Sequence, residues 1–380
     1  MARPPPFSLR GLAAALSTLT FALSAHAGPA GHGKTAHVVP SRAAHAAGPA
    51  RVQELPTRSA GTGELRGRLT LDPELQAKML RILDESRAPG GAIVVSDVRT
   101  GRVLAWASRG PGDWVKEPYA PSASVFKLVT ATALLEGHKV SLATRQCYSD
   151  AEHGISEADL LDGPRDIGCM PFSEALGFSI NAIFARLATR YLSPGDMRRS
   201  AEAIGFGGKV PIDLDASFGD AKIPDDRLGL ARASAGFWNA RLSPLGALFA
   251  MQTIANGGEK IRLHVHDTGA PVQRVSVGRA MSRDTAEALT RMLEVTTRRG
   301  TAAKAFHDQG RPALGVAVAG KTGTLVGGHP SRMYSWFTGF APTHKPEIAV
   351  AVMLANDVAW WSKGNLVARR VFEAYFEARR

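Results

Sequence analysis

The chain has 380 residues, of which 44% are hydrophobic and 21% charged. That is enough apolar sequence for one or two ordinary cores, and it excludes disorder over the whole length. The net charge is +12, but the basic residues are scattered and form no nucleic-acid-binding motif, so a solvated basic surface and no nucleic-acid partner are expected.

Residues 1–27 read as an export signal. Arg3 and Arg10 give a positive start, Leu12 to Ala25 is apolar and uncharged, and Ala25-His26-Ala27 is an A-x-A cleavage pattern. The apolar run falls short of the about 20 residues that span a bilayer. An uncleaved N-terminal anchor is the alternative. The expected location is outside the cytoplasm, in the periplasm or cell envelope. Residues 28–65 are rich in Gly, Ala, Pro and His, the composition of a flexible tether. His32, His37 and His45 lack the spacing of a metal site. One ordered domain is expected over 66–380.

Asp72-Pro73 is a helix start, followed by Leu75, Met79, Ile82 and Leu83 at helical spacing, and Pro89-Gly90-Gly91 is expected to end that helix. Ala92–Val95 and Val103–Trp106 flank Arg99-Thr100-Gly101, a hairpin signature. From Ser124 to Leu135 the residues are apolar nearly all round, which marks a buried helix. Ser124-Val125-Phe126-Lys127 opens it. A serine needs a base close by to act as a nucleophile, and on a helix Lys127 lies one turn from Ser124. Apolar surroundings lower a lysine pKa, so the amine can be neutral enough to take the serine proton. The helix N-terminus adds a backbone N–H suited to an oxyanion. Taken alone, the same four residues also describe an ordinary helix start with a snorkelling lysine.

Cys147 and Cys169 are the only cysteines and bracket a polar segment. In an oxidising compartment they are a candidate disulfide, worth roughly 3 kcal/mol in the chain-entropy model. Two separate buried thiols are the alternative, and neither cysteine has a metal-site pattern around it. Helical patterns then cover Glu174–Tyr191, Pro194–Ile204, Pro244–Ala255 and Arg283–Thr297. Gly177 is expected to break the first of these, leaving Ser179-Ile180-Asn181 at a loop-to-helix junction. There Ser179 can pass a proton between Lys127 and a leaving amine, and Asn181 can hold Lys127 or a substrate amide. Helix capping is the plainer role for both.

Strand patterns return at Val316–Leu325, Trp336–Ala341 and Ile348–Ala355, and a last helix runs from about Leu366 to Ala378. Lys321-Thr322-Gly323-Thr324 continues the first of these strands. Lys321 and the hydroxyls of Thr322 and Thr324 suit a substrate carboxylate, Gly323 lets a substrate backbone approach, and the Thr324 N–H is a second oxyanion donor beside that of Ser124. Strands at both ends with helices between them imply an α+β fold. One antiparallel sheet from distant parts of the chain is flanked by helices, with a helical lobe and Ser124 at the N-terminus of a buried helix.

The three motifs, in this order, resemble the set found in penicillin-binding proteins and class A β-lactamases. Further landmarks are Thr100-Gly101-Arg102-Val103-Leu104-Ala105, Ser243-Pro244-Leu245, Ile254-Ala255-Asn256-Gly257-Gly258, Gly300-Thr301-Ala302 and Trp336-Phe337-Thr338-Gly339-Phe340-Ala341-Pro342. With them the chain resembles the transpeptidase domain of penicillin-binding proteins over nearly all of residues 90 to 360. The resemblance implies an acyl-enzyme on Ser124, formed from the penultimate D-Ala of a D-Ala-D-Ala stem peptide and passed to an amine or to water. It implies Lys127 as base, Ser179 and Asn181 as proton-relay and positioning pair, and Lys321, Thr322, Gly323 and Thr324 as the carboxylate site. Peptidoglycan stem peptides and β-lactam antibiotics are the implied partners, with no cofactor and no metal.

The departures are Ala123 where the family often has Gly, Val125 for a common Thr, and Gly236-Phe237-Trp238-Asn239 where many members have a Gly-Gln-Gly run. A minimal, monofunctional member without a glycosyltransferase module or pedestal domain is expected. Two alternatives share the motifs: a serine β-lactamase, and a non-catalytic β-lactam sensor or peptidoglycan-binding scaffold. A β-lactamase needs a deacylation base, and no convincing Glu-x-x-x-Asn segment lies between the second and third motifs. Sensors usually carry membrane helices, and a scaffold that had lost catalysis would be expected to lack a motif residue.

Overall fold

The computed structural model describes residues 52–54, 68–237, 240–270, 273–357 and 362–379. The expected signal at 1–27, the expected tether apart from 52–54, and Trp238 and Asn239 lie outside the described residues. β1 (Val52–Glu54) comes first. α1 (Pro73–Glu85) opens at Asp72, whose carboxylate accepts from the N–H groups of Glu74 and Leu75, with Pro73 where its missing donor costs nothing. β2 (Gly90–Asp97) and β3 (Val103–Arg109) form the expected hairpin. α1 stops before Pro89, and Gly90 and Gly91 begin β2 instead of ending the helix.

A tight 3₁₀ turn, Ala123–Phe126, leads into α2 (Lys127–Glu136). β4 (Arg145–Ser149) and β5 (Asp166–Pro171) pair as a separate hairpin. The lobe that follows contains α3 (Phe172–Phe178), α4 (Asn181–Tyr191), α5 (Pro194–Ile204), α6 (Arg227–Ala235), α7 (Pro244–Ala255) and α8 (Arg283–Arg298). After the short α9 (Ala303–Phe306) come β6 (Ala319–Gly327), β7 (Arg332–Ala341), β8 (Ile348–Asn356) and α10 (Gly364–Glu377).

The main sheet has the order β1-β3-β2-β8-β7-β6 and is antiparallel throughout. Alternate residues serve opposite faces. Ala92, Val94 and Trp106 join the core under α2, α7 and α8, whereas Ile93, Val95 and Ala105 join the core under α1 and α10. Both faces are covered, so β8 reads as an apolar run from Ile348 to Ala355 that ends in Asn356, buried at all nine positions. Each fully buried Leu or Phe in these layers contributes about 1.5–3 kcal/mol. The result is the expected α+β architecture, with the edge strand β6 facing the helical lobe across a cleft. Among the described residues no helix is long and apolar enough to cross a membrane.

Candidate active site

Ser124 sits in the 3₁₀ turn ahead of α2. Its predecessor Ala123 has a φ of 48°, a left-handed conformation that costs a residue with a Cβ about 1–2 kcal/mol. The turn is held from two sides. Trp336 Nε1 donates to the Pro121 carbonyl at 2.9 Å. Gly236, at φ 90°, ends α6 against the turn, and a Cβ there would lie 2.1 Å from the Ala123 carbonyl oxygen, so only glycine fits.

Lys127 is fully buried. Its Nζ donates to Ser124 Oγ at 2.8 Å, Asn181 Oδ1 at 2.7 Å and the Ala235 carbonyl at 2.8 Å. None of the three acceptors carries a charge. Burial therefore pushes the amine well below the ordinary lysine range, and the positive charge of Lys321 nearby adds to the effect. The Asn181 amide completes its bonding on the far side, with Nδ2 donating to the carbonyls of Ala151 at 2.8 Å and Glu152 at 3.1 Å.

Ser179 occupies the junction between α3 and α4 at φ 59° and ψ 35°. The helix break thus falls at Ser179, not at Gly177 as expected. Gly177 stays helical, and its missing side chain makes room for α8, because a Cβ there would lie 2.5 Å from Val295 Cγ1. Ser179 Oγ accepts from Lys321 Nζ at 2.9 Å. Its cationic partner is accordingly Lys321, and Lys127 is taken by Asn181. Lys321 is also fully buried, donates its second bond to the Thr322 carbonyl at 2.8 Å, and is lowered by burial to about 7.

Thr322 Oγ1 lies 2.6 Å from Thr301 Oγ1, and the Thr301 N–H donates to the Gly177 carbonyl at 3.1 Å. The tight side of Gly323 faces the nucleophile turn rather than a substrate. A Cβ there would lie 3.3 Å from Val125 Cγ2 and 3.4 Å from Ala123 Cβ. Thr324 is exposed at the rim. Ser124, Ser179, Asn181, Thr322, Gly323 and Thr324 line one cleft of about 930 Å³. Lys127 and Lys321 lie beneath its floor and reach it through the two serine hydroxyls. β6 is an edge strand, so alternate N–H groups beside Ser124 are not used by β7. A hydroxyl on a buried amine, a second buried amine, and threonine hydroxyls on a free strand edge form a constellation suited to acyl transfer.

Cys147 and Cys169 lie opposite each other on β4 and β5 and are joined as a disulfide. They brace the hairpin whose Tyr148 and Ile167 line the cleft. Three contributors were not expected from sequence: the Ala235 carbonyl, the Thr301 hydroxyl and the buried Arg186. Only Thr301 carried a signal, as part of Gly300-Thr301-Ala302. Among the described residues no group of His, Cys, Asp or Glu could hold a metal ion.

The family model described as "Penicillin binding protein transpeptidase domain" matches residues 91–377. Stage V sporulation protein D of Bacillus subtilis is 27% identical over 338 residues, covering 79% of this chain and 51% of that protein. Peptidoglycan D,D-transpeptidase PbpA of Mycobacterium tuberculosis is 28% identical over 281 residues, covering 70% of this chain and 55% of that protein. The chain spans about half the length of these curated relatives. A solved structure of penicillin-binding protein A from M. tuberculosis, an imipenem acyl-enzyme complex, has the same fold. It aligns with a TM-score of 0.67 at 22% identity over 82% of this chain and 80% of that one.

Proposed function

The chain belongs to the penicillin-binding protein transpeptidase domain family, and on that premise we propose that it is a serine acyltransferase of D-Ala-D-Ala stem peptides. Ser124 Oγ attacks the carbonyl of the penultimate D-Ala and loses its proton to Lys127. The peptide bond to the terminal D-Ala breaks, and the leaving amine takes up a proton. The resulting ester passes its acyl group to an amine, as a D,D-transpeptidase, or to water, as a D,D-carboxypeptidase. Lys321, Thr322 and Thr324 hold the terminal carboxylate, Asn181 fixes Lys127, and Ser179 passes the proton toward the leaving amine in concert with Lys321. The N–H groups of Ser124 and Thr324 receive the oxyanion. Penicillin enters as a carboxylate-bearing acyl donor and remains on Ser124.

The observation that carries this reading is the Lys127 amine, fully buried, bonded to Ser124 Oγ at 2.8 Å and given only uncharged acceptors. That environment lowers the pKa of the amine and so favours the neutral form that a base requires. Incubation with an N-acylated peptide ending in D-Ala-D-Ala is expected to release free D-Ala, and Ser124→Ala to release none. Equal release from both proteins contradicts the assignment. We propose the same export route that the sequence suggests, with 1–27 as signal, a tether from 28, and a catalytic domain in the periplasm or cell envelope. That domain begins earlier than the expected 66, because β1 at Val52–Glu54 already pairs with β3. N-terminal sequencing of the mature protein is expected to begin at Gly28, and a chain still starting at Met1 would favour the anchor.

A further inference from the structure

Arg186 is a fully buried arginine outside the three motifs. It stands on α4, the helix that begins with Asn181, and its side chain has no solvent exposure. Its Nε donates to the Asp159 carbonyl at 2.6 Å. Nη1 donates to the Cys147 carbonyl at 2.8 Å and to Asp162 Oδ1 at 3.1 Å, and Nη2 pairs with Asp166 Oδ1 at 2.7 Å. These partners span the segment 147–166 from one strand of the bridged hairpin to the other. The guanidinium is fully buried while Asp162 is half exposed and Asp166 partly so. Such an ion pair is often no more stabilising than apolar residues of the same volume, so bulk stability alone does not account for an arginine here.

The segment that Arg186 holds lines the cleft with Ser149, Asp150 and His153 and makes contact with the base's own holder. It presents the Ala151 and Glu152 carbonyls, both of which accept from Asn181 Nδ2. A side-chain amide is nearly symmetric in shape but not in chemistry: one end donates and the other accepts. Two carbonyls on one side fix the NH₂ there and leave Oδ1 to accept from Lys127. If the segment moves away, the amide is free to turn its NH₂ toward the Lys127 amine, which then loses an acceptor. Apolar contacts of Ala151 and Ile155 with Ala182 and Ala185 on α4 lie on the same seam, but they set no amide orientation.

We propose that Arg186 is a positioning residue, holding segment 147–166 on α4 so that Ala151 and Glu152 keep the Asn181 amide turned toward Lys127. This rests on the acyl-transfer reading above. Arg186→Lys keeps the charge and removes the fork. The test is labelling of the full chain with a fluorescent penicillin, followed by two readouts: the end-point fraction labelled, and the acylation rate constant at saturating drug. The expected result is a near-native end-point with a rate lower by about 10- to 100-fold, the scale of a small misplacement near the chemistry. The half-saturating drug concentration is expected to shift less than the rate, because Lys321, Thr322 and Thr324 are untouched while Tyr148 and its neighbours on the moved segment line the cleft.

In an Asn181→Ala background the Arg186→Lys effect is expected to vanish, as for residues that act through one another. Asp166→Asn loosens the same clamp more mildly and is expected to lower the rate in the same direction. It carries the test if Arg186→Lys does not reach a folded end-point. A native rate constant in the labelled fraction of both variants overturns the positioning role, as does a fall of equal factor with and without Asn181→Ala. No labelling of the native protein would overturn the acyl-transfer reading, and this proposal with it.

Discussion

Lys127 has to be neutral before it can accept the Ser124 proton, and that fixes the sign of the pH dependence. Burial lowers its pKa, so acylation is expected to rise with pH and level off below the ordinary lysine range. Lys127→Arg stays protonated and is expected to lower the acylation rate by about 10²- to 10⁴-fold at every pH, measured as penicillin labelling across a pH series. An unchanged rate would remove Lys127 as base. Lys321 behaves in the opposite sense, because it must be charged to hold a carboxylate. With a pKa of about 7, it is an ammonium below that pH, and above it carboxylate binding has to draw in a proton. The KM for a carboxylate-terminated peptide is therefore expected to rise above about pH 7, and Lys321→Met to flatten that rise. The same shift bears on stability. Between about 7 and the ordinary lysine value of 10.5 the unfolded chain holds more protons at this lysine than the folded one, so stability rises with pH over that window. Lys127, also lowered by burial, contributes a slope of the same sign, so thermal unfolding of Lys321→Met is expected to lose part of that slope, not all of it. Ser124 and Lys127 were legible in the sequence because three residues on a helix fix their contact. Across the site, the motif order suggests Asn181 as a holder of Lys127. The Ala235 carbonyl and the pairing of Ser179 with Lys321 were not legible, since Ala235 is 108 residues from Lys127 and Ser179 is 142 from Lys321.

At the scale of elements, the seam between α3 and α8 determines where Ser179 stands. Gly177→Ala places a methyl 2.5 Å from Val295 Cγ1 and is expected to cost about 1–3 kcal/mol, the usual cost of overpacking. It is also expected to slow acylation, since α3 ends at Ser179. Urea unfolding beside penicillin labelling reads both effects, and Val295→Ala is expected to restore part of each. A native rate in Gly177→Ala would show that this seam does not set the site. The hairpin of β4 and β5 makes a separate prediction. No thiol is expected to titrate in the unreduced protein, and replacing both cysteines with serine is expected to cost about 3 kcal/mol, as closure of a loop with a separation of 22 residues predicts. Two titratable thiols would show an open hairpin. Helix starts were readable where the signal is local, as at Asp72-Pro73. α6 was not, although Asp226 caps it and Gly236 follows it, because its small Ala, Gly and Ser residues make no apolar stripe. The break after α3 was misplaced for a related reason: Gly177 serves packing against another helix, and a serine takes the left-handed turn.

Over the whole molecule, the sheet joins β2 and β3 near one end of the domain to β6, β7 and β8 near the other, with the helical lobe between them in sequence. The class of fold follows from that distribution of strand and helix patterns. The strand order does not, because strands covered on both faces lose the alternation that would mark a register. The cleft arises from this topology: the free edge of β6 meets the turn that carries Ser124, and Gly323 allows the two to touch. A site assembled at such a junction depends on the whole fold, so its chemistry reports on the complete account. The most direct measurement is the intact mass of the purified chain after incubation with penicillin, beside Ser124→Ala. The account predicts one lasting penicillin adduct on the native protein and none on the variant. An unmodified native mass, or equal adducts on both proteins, would contradict it.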